Sequence, residues 1–93
     1  MIIGVVRCEC MLFCAHSLKE KRSVIKSILR KAADGHNLSA SEVGYQDTWQ
    51  RAELAFVCVG SSKVPVEREL ARALVIIDFR TEIERVHTEY EWL

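Results

Sequence analysis

The chain has 93 residues, of which 49% are hydrophobic and 28% charged, with 13 basic and 13 acidic side chains. That bounds it to a single domain over residues 1–93, excludes a disordered or collagen-like chain, and leaves no whole-chain charge argument for nucleic acid. No apolar run approaches the about 20 residues that span a bilayer, so no membrane partner is expected.

The opening residues Met1-Ile2-Ile3-Gly4-Val5-Val6 run into Arg7 and Glu9 and read as a strand, not a signal peptide. Over 2–12 the even positions Ile2, Val6, Cys8, Cys10 and Leu12 are apolar, the period of a half-buried strand. Ser17-Leu18-Lys19-Glu20 is a capping box that opens a helix. Leu18, Val24, Ile25, Ile28, Leu29 and Ala32 fall on one arc of that helix; Lys19, Arg22, Lys26 and Arg30 form a stripe on the opposite arc. Gly35 is placed to end it in a left-handed conformation.

Residues 37–45 read as a weaker strand whose small and polar residues suit a sheet edge. Gln46-Asp47-Thr48 reads as a turn. Residues 50–60 alternate Ala52, Leu54, Phe56 and Cys58 against Arg51, Glu53, Ala55, Val57 and Val59, a strong strand pattern. A second helix spans about Val64 to Phe79, with Pro65 in its first turn and Val66, Leu70, Ala73, Leu74 and Ile77 as its core stripe. A last strand covers 83–92, with Val86, Tyr90 and Trp92 alternating against Arg85, His87, Glu89 and Glu91. The order β-α-β-β-α-β on a chain of this length predicts a ferredoxin-like α+β fold. Its antiparallel sheet should have four strands in the order 4-1-3-2, with both helices on one face.

Ala15-His16-Ser17-Leu18-Lys19-Glu20-Lys21-Arg22 and Gln46-Asp47-Thr48-Trp49-Gln50-Arg51-Ala52-Glu53-Leu54, with the opening Met1-Ile2-Ile3-Gly4-Val5, resemble the YlxP family of small bacterial proteins. The resemblance covers the whole chain and implies the same ferredoxin-like fold in a cytoplasmic bacterial protein. Genes of the family commonly lie beside those for a translation initiation factor and a ribosome-binding factor. That implies a role near ribosomes or RNA, although the family is labelled a domain of unknown function. The chain departs from the family pattern in its cysteines and in Val75-Ile76-Ile77 on the second helix.

Charge is uneven along the sequence: residues 1–31 carry +5, 32–77 carry −2 and 78–93 carry −3. Such polarity steers an anionic partner to one side, or reflects two solvated faces that differ. The stripe Lys19, Arg22, Lys26, Arg30 has the reach to follow phosphates, and Arg51 on the neighbouring hairpin adds charge. The predicted topology brings His16 and the first helix's start near Gln46, Asp47 and Trp49, a candidate anion or ligand edge. There His16 and Trp49 offer stacking surfaces for a base. The alternative is structural: Asp47 pairs with the basic helix end and Trp49 plugs the core edge. The open sheet face should carry Ile3, Val5, Ala55, Val57 and Val59 among Arg7, Glu9, Arg51 and Glu53, a candidate interface for a second copy or a protein partner.

Cys8, Cys10, Cys14 and Cys58 lack zinc-knuckle spacing and read as reduced thiols; no metal or cofactor is expected. There is no phosphate loop, zincin motif or nucleophile elbow, so the only catalytic candidate is His16 held by Asp47. Three functional expectations stand: a cytoplasmic, non-enzymatic accessory factor for RNA or a ribosomal subunit, a homodimeric or protein-binding module, and a small enzyme or ligand-binding protein.

Overall fold

Alternation and caps lay the chain out as expected. A computed structural model describes residues 1–93 as β1 (Ile2–Met11), α1 (Leu18–Ala33), β2 (Ser39–Gly44), β3 (Arg51–Gly60), α2 (Lys63–Asp78) and β4 (Glu84–Trp92). The four strands form one antiparallel sheet in the order β2-β3-β1-β4. This is the ferredoxin-like arrangement, read from the other edge.

Pairing register sorts the side chains. Val6 opposite Phe56, Cys8 opposite Leu54 and Cys10 opposite Ala52 face the helices. Val5 opposite Val57, Arg7 opposite Ala55 and Glu9 opposite Glu53 face the open side. The helices close over the first set, with α2 lying on β1 and β3 and α1 on the edge strand β2. A single cluster of 19 buried apolar residues fills the space between, with Phe56, Ile28, Leu54, Leu70 and Ile77 fully buried. Each such side chain contributes about 1.5–3 kcal/mol of transfer free energy.

Local chemistry sets the helix ends. Ser17 Oγ accepts a hydrogen bond from the Glu20 amide at 3.1 Å. Glu20 Oε2 accepts from the His16 amide at 2.8 Å, one residue before the cap, so the box closes slightly wider than its standard form. After Ala33 the chain leaves α1 through Gly35 at φ +72°. At Gly4 the sheet needs the absence of a side chain: a Cβ there would lie 2.7 Å from the Trp92 ring and 2.8 Å from Val66.

β4 departs from simple alternation. Its register against β1 shifts between Glu9 and Cys10, so that Glu9 faces His87 and Cys10 faces Arg85, with Val86 as the extra residue. The bulge turns Arg85 to the helix side, where Nε and Nη2 donate to the Asp78 carboxylate at 2.7 Å each. Arg85 therefore does not alternate with Val86 as the sequence pattern suggested; the ion pair to α2 overrides the period.

Candidate functional site

One basic residue of α1 is not on the surface. Lys21 sits at the spacing of Ile25, Ile28 and Ala32, so it belongs to the buried arc, and it is fully buried. Its Nζ donates to the carbonyls of Tyr45 and Thr48 at 2.6 Å each and lies 2.8 Å from Glu42 Oε2. Two of the ammonium's three donors go to those carbonyls, and the Glu42 carboxylate is its counter-ion. Glu42 is on the helix side of β2, its side chain 15% exposed, and Oε2 is buried with no well-directed hydrogen bond beyond this electrostatic contact. Burying a lysine without such partners would be prohibitive.

The clamp shapes the hairpin. Thr48 N–H donates to Tyr45 O at 3.0 Å, closing a turn with Gln46 and Asp47 at its centre. Both carbonyls flanking that pair are held by Lys21. Tyr45 has φ +57°, a left-handed conformation costly for a bulky residue; Lys21, the turn and the Arg51 guanidinium stacked 4.2 Å from its ring hold it there. Gln46 Nε2 donates to Glu42 O at 3.1 Å. Gln50 ties the far end of the loop to the carbonyls of Phe13 and Ala15, beside His16.

Between α1 and this turn runs a groove of about 460 Å³. One wall is Arg22, Lys26 and Arg30, the floor is Ile25 and Leu29, and the other wall is Glu42, Gln46 and Asp47. The basic stripe thus flanks the groove instead of pointing straight away from the sheet. Lys19 is exposed in the first turn, beyond the groove lining. Asp47 is exposed and has no ion-pair partner, and Trp49 is 46% exposed, so neither takes the structural role of helix partner or core plug. His16 is exposed, and its ring makes no hydrogen bond to Asp47.

The unpaired cations are concentrated. Arg7, Lys21, Arg51, Arg72, Arg80 and Arg85 each have a carboxylate within salt-bridge distance. Of the seven basic side chains without one, Lys19, Arg22, Lys26, Arg30 and Lys31 are all on α1; Lys63 and Arg68 are on α2. Arg51 does not join the α1 stripe: it lies on the open face, bonded to Glu9, where it relieves the opposition of Glu9 and Glu53.

The open face divides in two. Arg7 pairs with Glu89 at 2.8 Å and His87 meets Glu89 at 2.8 Å, filling one half with paired charges. Hydrogen bonds from the His87 ring, the larger effect, and from the Arg7 guanidinium hold the Glu89 carboxyl below its ordinary value. The other half is apolar, with Ile3 and Val5 half-buried and Val57 and Val59 exposed. Val75 and Phe79 on α2 are also exposed.

Cys8, Cys10 and Cys58 are buried core thiols and Cys14 is exposed; all four are free. Hydrogen bonding to Cys8, then burial, pushes the Cys10 thiol up. Burial, then the nearby Glu69 carboxylate, pushes up Cys58. No group of three or more His, Cys, Asp or Glu side chains is placed to hold a metal ion. No helix is long and apolar enough to cross a membrane.

In the sequence Lys21 enters only the +5 carried by residues 1–31, although its wheel position carries the signal for burial. The turn's place beside α1 follows from topology; the clamp that fixes it does not.

Residues 3–90 match the family model described as "Protein of unknown function (DUF503)". The chain is 50% identical over 91 residues to "Uncharacterized protein YlxP" of Bacillus subtilis (strain 168), covering 98% of this chain and 99% of that protein. Among solved structures it is similar to the structural-genomics protein YJCS, with a TM-score of 0.65 at 6% identity over 96% of each chain. It is also similar to the de novo designed protein Foldit4, with a TM-score of 0.54 at 15% identity over 100% of this chain and 97% of that one. Both structural likenesses are of fold alone. At half its residues identical over nearly its full length, and with the family model matching nearly all of it, the chain belongs to the DUF503 family that includes YlxP.

Proposed function

We propose that this protein is a non-enzymatic accessory factor that binds RNA, in a ribosomal subunit or beside one, through the α1 face and the adjoining Tyr45–Thr48 turn. The supporting observation is that five of its seven unpaired cations stand on one helix, three of them along one groove. Cations without internal partners are free to replace counterions on phosphates, and release of those counterions drives binding. The partly exposed Leu29 in the groove floor and the exposed ring of Trp49 in the same loop as Gln46 and Asp47 suit unstacked bases. The family resemblance adds the expectation of a ribosomal setting and a cytoplasmic one.

The test is co-sedimentation with purified ribosomal subunits at low and moderate salt, with Lys19→Glu/Arg22→Glu in parallel and circular dichroism to confirm its fold. Binding that falls with salt and is lost in the variant is expected. No binding at low salt would remove ribosomal particles as the partner.

A second reading has its own observation. The apolar half of the open face (Ile3, Val5, Val57, Val59) is the part of that face without internal ion pairs. A second copy covering it would make the protein a dimer, measurable by sedimentation equilibrium and disrupted by Val57→Asp.

A further inference from the structure

We infer that the groove beside α1 reads guanine in single-stranded RNA, with the Gln46-Asp47 pair as the reading element; this rests on the RNA-binding function proposed above. The element is built before any ligand arrives. Gln46 and Asp47 are the central residues of a hydrogen-bonded turn, and the carbonyls on either side of them are both held at 2.6 Å by a fully buried lysine. A turn pinned at both ends by a buried ammonium has little backbone freedom left to lose on binding.

Its polarity selects the base. The Asp47 carboxylate has no cationic partner and is an acceptor only. Gln46 spends one of its two amide N–H groups on Glu42 O, which leaves the other N–H and Oε1 free. The wall therefore offers the Asp47 carboxylate, an acceptor on both oxygens, beside an amide that still has one donor and one acceptor. Guanine alone among the bases carries adjacent donors, N1–H and N2–H₂, on its Watson–Crick edge, and a carboxylate can take both. Adenine and cytosine present one amino group beside a ring acceptor that would face the carboxylate, and uracil presents a single N–H between carbonyls. The rest of the groove suits the rest of a nucleotide: the half-buried Leu29 offers a small apolar surface to the base, and Arg22, Lys26 and Arg30 stand across from Asp47 to hold the flanking phosphates. Without those three cations an exposed carboxylate would repel RNA; with them it costs little and discriminates.

The experiment uses the full chain and short fluorescent uridine-rich RNAs carrying a single guanine, inosine or adenine at the same place, titrated by anisotropy at fixed salt. Guanine should bind about tenfold tighter than adenine, the scale of one good bidentate base contact. Inosine, which keeps N1–H and lacks the amino group, should fall between them. Asp47→Asn should abolish the preference and keep salt-dependent binding to every RNA; Arg22→Glu should weaken all three equally. Equal binding of the three RNAs by the native chain, with salt dependence intact, would overturn guanine reading and leave RNA binding standing. No binding to any of them would overturn both.

Discussion

Replacing Lys21 by methionine tests the buried clamp that shapes the groove. The substitution keeps most of the side chain's volume and removes its charge. It leaves the Glu42 carboxylate, 15% exposed, without its cation, and the Thr48 carbonyl without its donor. Breaking a buried pair from one side costs about 3–5 kcal/mol, because the remaining charge is stranded. For a domain near this size each kcal/mol lowers the melting temperature by about 4–8 °C, so a fall of at least about 12 °C is expected. Urea unfolding followed by circular dichroism, with linear extrapolation, gives the free energy directly. Lys21→Met/Glu42→Leu removes both charges, so it should be more stable than Lys21→Met alone. It should not return fully to the native value, since the Thr48 carbonyl still lacks its donor, at about 1–3 kcal/mol. Lys26→Met on the exposed stripe should stay within about 0.5 kcal/mol of native. If Lys21→Met were as harmless as Lys26→Met, or if the effects of Lys21→Met and of Glu42→Leu alone simply added in the double variant, the clamp would carry none of the role given to it.

Other consequences follow from single features. Gly4→Ala should destabilise by about 1–3 kcal/mol in the same assay, because the new methyl meets the Trp92 ring and Val66. Of the four free thiols, only Cys14 should react quickly with Ellman's reagent in the native protein. Cys8, Cys10 and Cys58 should appear on adding denaturant, and fast reaction of a second thiol would contradict the core assignment. Hydrogen bonds from Arg80 and Arg72 hold the carboxyls of Glu82 and Glu69 below their ordinary value of 4.5. A carboxyl whose folded value is depressed stabilises the fold above its unfolded value, and that share is lost as pH falls through the folded one. The urea midpoint should therefore drop below about pH 4.5. Both pairs lie at the surface and are partly solvent-screened, so the drop is small, and Glu82→Gln should reduce it.

The fold was legible where local pattern and tertiary need agree. Val6, Cys8 and Cys10 alternate with Arg7 and Glu9, and one face of β1 is buried as that period requires. Ser17, Glu20 and Gly35 mark the ends of α1 because capping is a local interaction. Lys21 shows the limit. Its spacing from Ile25 and Ile28 placed it on the buried arc, but the oxygens that make burial tolerable come from Glu42, Tyr45 and Thr48, more than twenty residues on. Arg85 and Val86 show another, since the bulge reorders them and brings Arg85 to Asp78 on α2, a partner no local pattern points to. For the site, the basic stripe and Gln46-Asp47 were both readable. That they face one another across a groove depends on α1 lying over the edge strand, and Arg51, on the opposite side of the sheet, falls outside it.

The most direct test of the central claim is an amide chemical-shift titration of the isotopically labelled protein with single-stranded RNA. Shifts concentrated at Arg22, Lys26, Arg30, Gln46 and Asp47, with Val5, Ala55 and Val57 unmoved, are the result this account predicts. Shifts confined to the open sheet face, or none at RNA concentrations that saturate ordinary non-specific binders, would contradict it.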